Sequence, residues 1–438
     1  MKGWRCSVIP TLSDKKFELE VELDELIKLK RDFNIDHVEI PKYLPFHDLL
    51  KVETTLERFA DEIRFEWKKK CFLHTEHVYK SPPYPQEFLT LNNSTLDFRY
   101  ERVIKYRSWE DKHYNTINNF SGFSMFFSSG MSAIFNVLHL IRIMFKGELN
   151  GVFLGDYYET RTLIKNLSIE NIHYEHVNET SLLDELNKVD ILIVELVRYS
   201  TTLSVVEEDD VINFINHHKS VKAVIIDFTL VSSSFNIEEF LSRIDENVFV
   251  FFVKSTLKLD QSGLEFSNSA QLALYIKSVT AISEYVEKLR TLLEGQRGAL
   301  GSSLSYYEVC QLDYPMFNKD TEYVNKVLDN VTSFVSCLEN SKLEIIHPSL
   351  LNPRYKSPFL FVKTESNEDF YKFMGYIDSY LEDTHIHIPK RNSFGFRNIS
   401  MEMVQMNKTQ NVLKIAPGRI DGMKQQALIE GILKFNKK

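Results

Sequence analysis

The chain has 438 residues, 43% hydrophobic and 13% aromatic, which is enough apolar material to bury a large core and two domains. Its formal charge of −9 is spread without long blocks of one sign, and this excludes a basic nucleic-acid-binding face; 15 glycines and 12 prolines exclude a fibrous or low-complexity chain. Cys6, Cys71, Cys310 and Cys337 are scattered without C-x-x-C spacing, which indicates neither a zinc site nor a disulfide framework. With no apolar signal core at the N-terminus, the expected compartment is the cytoplasm.

Residues 1–95 read as an N-terminal extension, in which "LDELIKLKRDF" is helical and "SPPYPQEF" breaks whatever precedes it. The longest apolar stretch, from Met125 to Phe145, contains Ser128, Ser129, Gly130, Asn136, His139 and Arg142. Those residues are costly in lipid, so it is expected to be a buried helix and not a membrane span. In "FSSGMSAIFNVLHLI", Gly130 opens the helix after two serines. The unpaired amides of a helix N-terminus suit a phosphate, although a plain serine-capped helix reads the same way.

Four apolar runs follow, "GVFLGD", "DILIVEL", "AVIIDF" and "VFVFFVK", alternating with amphipathic segments. They predict a parallel sheet covered on both faces. Each ends on an ionisable group: Asp156, Glu195, Asp227, and Lys254 with Lys258. The carboxyl ends of such strands face the ligand crevice, so these groups are expected to converge. Asp227 suits either a helix cap or a partner for a protonated heteroaromatic nitrogen. Either lysine suits a solvent-seeking side chain or a desolvated amine able to form a Schiff base.

A long helix is expected over 274–300. Beyond 320, helix and strand patterns alternate in "VNKVLDNVTSFVSCL", "PFLFVKT", "EDFYKFMGYIDSYL", "THIHIP" and "NVLKIAP", the pattern of an α+β C-terminal domain. His385 and His387 share one face of the expected strand "THIHIP" with no third ligand near in sequence, so no metal site is expected. The expected domains are 1–95, a large α/β domain over 96–300, and 301–438.

In chain order the motifs read Y-x-R, S-S-G-M-S-A-I, D-x-Y, a strand ending in Glu, a strand ending in Asp, and S-x-x-K. This order resembles the fold type I enzymes dependent on pyridoxal 5′-phosphate, and among them the cystathionine γ-synthase and cystathionine β-lyase group of Cys/Met metabolism. The resemblance covers 96–438 and implies a large domain built on a mainly parallel sheet with a smaller C-terminal α+β domain. It implies that Gly130 and Met131 hold the cofactor phosphate together with Ser255, that Asp227 pairs with the pyridine nitrogen, and that Tyr158 of "GDYYET" lies over the ring. Lys258 of "KSTLK" becomes the Schiff-base lysine and base, with Lys254 the alternative. Tyr100 and Arg102 of "YER" would reach a neighbouring subunit's phosphate, implying a homodimer, or a tetramer, with shared active sites.

The chain departs from the group at Leu257, where a Thr is usual, at Tyr199, where an Asn is usual, and at Lys414, where an Arg clamps the substrate carboxylate. A lysine lacks the planar fork of arginine. Substrate contacts are therefore expected from Tyr199, Lys414, Ser393 of "RNSFGFRNISM", and Arg397, with Arg419 as a further candidate. The resemblance implies elimination or replacement at Cβ or Cγ of an amino-acid-type substrate. The alternatives are an aminotransferase or decarboxylase on the same fold, or a silent scaffold.

Overall fold

The computed structural model describes residues 11–82, 86–91, 94–166, 172–177, 179–180, 188–277, 282–392, 395–407 and 410–435. The expected substrate contact Ser393 lies outside the described residues.

Seven strands form the central sheet. They are β3 (Phe120–Phe127), β4 (Leu149–Leu154), β5 (Ile172–His176), β6 (Ile191–Glu195), β7 (Ala223–Asp227), β8 (Phe249–Ser255) and β9 (Ala270–Lys277), and a preceding hairpin pairs β1 (Gln86–Leu91) with β2 (Ser94–Phe98). The sheet order is β3-β9-β8-β7-β6-β4-β5, with β9 antiparallel to both neighbours and the pairs from β8 to β5 parallel. The four apolar runs thus lie on β4, β6, β7 and β8, as their patterning predicts.

Side-chain alternation divides the sheet into two cores. On one face Phe251 and Val253 pack with α4 (Gly130–Met144) and α9 (Ile282–Ala299). On the other, Val250 and Phe252 pack with α6 (Glu208–His217) and α7 (Ile237–Ser242). Within β8, therefore, Lys254 belongs to the α7 face and Ser255 to the α4 face.

Two expectations change. The Met125–Phe145 stretch is no single helix: β3 and α4 divide it, and the capping box of Ser129 and Ser132 marks the change. Residues 274–277 end the strand β9, and the long helix starts only at Ile282. Apolar composition alone does not separate a buried strand from a buried helix.

The C-terminal part is a four-stranded antiparallel sheet, β10 (Glu344–Ile346), β11 (Leu360–Lys363), β13 (Gln410–Ala416) and β12 (Ser400–Asn407) in spatial order. Helices α11 (Thr321–Cys337), α12 (Asn367–Asp383) and α13 (Met423–Phe435) pack on it. "THIHIP" is not a strand: α12 runs to Asp383, and His385 takes φ 56° in the turn that follows.

The N-terminal segment shares the main body's core. Helices α1 (Leu12–Asp32) and α2 (Leu49–Thr75) pack against Trp109, Phe126, Phe266 and Tyr314. Polar contacts bind both halves of the chain to this helix pair. Arg64 donates to the carbonyls of Leu264 (2.6 Å) and Glu265 (3.2 Å), while Lys15 pairs with Asp421 (3.0 Å) and Lys424 with Glu57 (2.5 Å).

Candidate active site

The cradle begins at Ser129. Its side chain accepts the Ser132 amide, Ser132 Oγ accepts the Ser129 amide, and the Ala133 amide bonds to the Ser129 carbonyl. Among the described residues, the Gly130 and Met131 amides are then the first-turn donors left for a ligand. Gly130 faces β8, where a Cβ added to it would lie 3.8 Å from Ser255 Cβ. The strand end therefore brings a hydroxyl to a helix N-terminus, a donor set suited to a phosphate.

From Ser255 the network runs to Asp227. The Ser255 amide donates to Thr229 Oγ1 (2.9 Å), and the Thr229 amide and hydroxyl both bond the Asp227 carboxylate, the amide at 2.9 Å. Burial raises the Asp227 pKa and the Thr229 bonds oppose it. Beside it Glu195 is buried and accepts the amides of Asp156 (2.8 Å) and Tyr157 (3.0 Å), fixing the turn into α5 (Tyr158–Asn166). Burial first, and the Asp227 charge second, push Glu195 up to about 8.

Lys258 lies on α8 (Thr256–Leu259), the one-turn helix that follows Ser255. Burial pushes its pKa down to about 8, and the Lys414 ammonium acts in the same direction. The carboxylates of Glu265, Glu402 and Glu159 oppose them. An amine in that range has a neutral fraction available near neutral pH.

Across the crevice, Glu402 on β12 faces Lys414 on β13, and their side chains pair at 3.0 Å. The Lys414 ammonium also lies 4.7 Å from the Phe359 ring centre and 5.3 Å from that of Tyr199. Burial lowers the Lys414 pKa and Glu402 opposes it. Tyr199 continues the aromatic wall to Tyr157 (6.0 Å between ring centres), which in turn packs on Tyr158 (5.2 Å).

Gly130, Ser255 and Asp227 are linked by these contacts, and Lys258 shares an electrostatic neighbourhood with Lys414, whose ammonium lies over Tyr199. Tyr158 lies at its outer wall, 63% exposed, with its hydroxyl on Glu159 (3.1 Å). Tyr157 is the more buried of the two, and the Asp227 charge acts on it. Arg397 and Arg419 are turned elsewhere. Both pair with buried Glu22 of α1, and Arg397 also donates to the Ser262 carbonyl at 2.8 Å. Tyr100 and Arg102 stack on each other at the surface, the guanidinium 5.2 Å from the ring centre. Sequence reasoning passed over Tyr157, Thr229 and Glu402. The tandem tyrosines were a signal for the first, whereas Glu402 becomes visible only in the β12–β13 register.

No protein-family model matches the chain, nor does any curated protein sequence. Solved structures do match. The chain is similar to metB from Corynebacterium glutamicum (15% identity, TM-score 0.56, covering 82% of this chain and 93% of that one). It is also similar to cystathionine γ-lyase from yeast (14%, 0.56, 85% and 98%) and to that from Lactobacillus plantarum complexed with L-serine (12%, 0.55, 84% and 99%). The chain shares their fold. That is the fold type I architecture which the motif order implied, a mainly parallel sheet with a smaller antiparallel one.

Proposed function

We propose that the protein is a pyridoxal 5′-phosphate-dependent enzyme acting on an amino-acid-type substrate, by elimination or replacement at Cβ or Cγ. The observation that carries this is the linkage of three donor sets. Gly130, which with Met131 opens the first turn of α4, lies beside Ser255, Ser255 is tied through Thr229 to Asp227, and Lys258 follows one turn later. A phosphate, a protonated ring nitrogen and an aldehyde carbon are the groups these residues fit.

When bound, the cofactor supplies a carbon electrophile for an amine and a protonated ring that takes up the electron pair left at Cα. The chain's own groups do the rest. Gly130, Met131 and Ser255 would bind the phosphate, and Asp227 would hold the proton on the ring nitrogen. Tyr157 and Tyr158 line the wall, one inside the other, and Tyr157 would fix the ring's tilt. Lys258 would hold the cofactor and, as a free amine, would take the proton at the substrate's Cα and return it further along the substrate. Lys414 and Tyr199 meet the substrate's carboxylate end. The Lys414–Glu402 pair would leave less net positive charge there than an unpaired arginine, and lysine lacks the planar fork, so the grip on the carboxylate would differ from the group's.

The resemblance of Tyr100 and Arg102 to the group's Y-x-R implies an active site shared between subunits. Tyr100 and Arg102 are exposed, as they must be to reach a second copy. We read the protein as a homodimer or tetramer of the cytoplasm. Among the described residues no helix is long and apolar enough to cross a membrane, and no group of His, Cys, Asp and Glu could hold a metal ion.

Product analysis after incubation with the cofactor and a panel of amino acids tests the reaction. Keto acid with ammonia, or a replaced side chain, is the expected result. Amino-group transfer or carbon dioxide release would move the assignment to an aminotransferase or decarboxylase, and no turnover of any substrate to a silent scaffold.

A further inference from the structure

Lys254 is the lysine that the proposed chemistry does not use, and it is the more buried of the pair, 3% exposed against a half-buried Lys258. Strand alternation points it away from the Gly130 cradle, into the α7 face. There its ammonium donates to Asp260 Oδ1 (2.5 Å) and to Ser232 Oγ (2.9 Å), and the Ser232 hydroxyl donates to the same Asp260 oxygen (2.6 Å). The three side chains close a ring of direct bonds.

The position of this ring in the chain gives it a consequence. Lys254 and Asp260 flank the single turn Thr256–Leu259, with Lys258 between them, so the ion pair closes a seven-residue loop around the reactive amine. A turn of four residues has little stability of its own. Its ends are held from outside. The Thr256 amide bonds to the Ser269 carbonyl (2.9 Å) and the Asp260 carbonyl accepts the Asn318 amide (3.1 Å). Ser232 takes φ 41°, a conformation unfavourable for a residue with a side chain, and in it reaches both partners. Fixed geometry of this kind is what a reacting amine needs, since a displacement of about 1 Å can cost roughly a hundredfold in rate.

We propose that Lys254 is a positioning residue for Lys258: its buried ion pair with Asp260, completed by Ser232, locks the turn that presents the Lys258 amine to the Gly130–Ser255 cradle. The proposal rests on Lys258 being the cofactor-binding lysine, and it removes Lys254 from that role. Lys254 also lines a cavity of about 560 Å³, with Ser232, Gln271 and Asn318. A shortened side chain would therefore admit water to Asp260 instead of being replaced by neighbouring apolar groups, and the turn would loosen.

The test reads Lys258 without its cofactor. Competitive acylation of the cofactor-free protein across pH, followed by peptide mass spectrometry, gives the titration midpoint of Lys258 in wild type, Lys254→Met, Asp260→Asn and the double variant. Wild type should titrate near about 8. In folded Lys254→Met and Asp260→Asn the midpoint should rise toward the ordinary lysine value as the turn opens to water. Each unit of rise lowers the neutral amine about tenfold at pH 7, and borohydride trapping of pyridoxal phosphate at Lys258 should slow in parallel. Lys254→Arg should restore part of both. Midpoints and trapping rates equal to wild type in the folded variants would overturn the proposal and leave the pair a purely structural one, even if thermal stability falls. If both single variants fail to fold, Ser232→Ala keeps the ion pair while removing its third member, and an unmoved midpoint there counts equally against the proposal. Wild type that traps no cofactor, yet shows the shifted midpoints in the variants, would sink the functional reading and leave the positioning of Lys258 intact.

Discussion

Glu195 and Asp227 stand opposite each other in the register of two paired parallel strands, so two carboxylates end side by side at the centre of the crevice. Burial and this neighbour raise Glu195 from an ordinary value of 4.5 to about 8. The folded state then holds a proton that the unfolded chain has released. This contribution to stability is full below the unfolded value and is lost as pH rises through about 8. Denaturant unfolding should show wild type losing stability between those limits, and Glu195→Gln losing less, because glutamine does not titrate while its amide oxygen can still accept the Asp156 and Tyr157 amides. A Glu195→Gln profile parallel to wild type would contradict this.

The charges around Lys258 predict opposite shifts for two substitutions. Lys414→Met removes a cation and should raise the Lys258 midpoint above about 8, whereas Glu402→Gln removes an anion and should lower it. Both are read by the pH dependence of Lys258 acylation. Equal shifts of the same sign would mean that the two variants act by unfolding the crevice, not through charge.

Glu22 joins the N-terminal helix pair to the C-terminal part through two buried arginines, Arg397 and Arg419. Glu22→Ala leaves two cations uncompensated and should cost about 3–5 kcal/mol in denaturant unfolding. Cofactor affinity, measured on protein that is still folded, should change little. A loss of cofactor binding without a loss of stability would return Arg397 to the site.

The tandem tyrosines should separate by their exposure. Tyr157→Ala should weaken cofactor binding by about tenfold or more, since aromatic packing contributes about 0.5–1.5 kcal/mol beyond the area it buries. Tyr158→Ala should have the smaller effect, and equilibrium titration compares them. The reverse order would restore Tyr158 as the ring-facing residue.

Much of this was legible in the chain. Continuous apolar runs ending on charged residues are what a buried parallel strand demands, so β4, β6, β7 and β8 and the convergence of their ends could be read directly. The strand β3 could not, because Phe120–Phe127 and α4 are apolar alike. Nor could the position of Arg397. Its sequence neighbourhood matches a substrate-binding turn, but the partner that turns it away, Glu22, lies 375 residues distant. Tyr158 was selected by motif spacing, while burial, a property of the folded chain, distinguishes Tyr157.

The central claim is that Lys258 is the residue that bonds the cofactor. Pyridoxal phosphate should be added to wild type, Lys258→Ala and Lys254→Met, the mixture reduced with borohydride, and the modified peptide identified by mass spectrometry. Wild type should show a visible band that is absent from Lys258→Ala, with the reduced adduct on Lys258 and none on Lys254. An adduct on Lys254, or an unchanged band in Lys258→Ala, would contradict it.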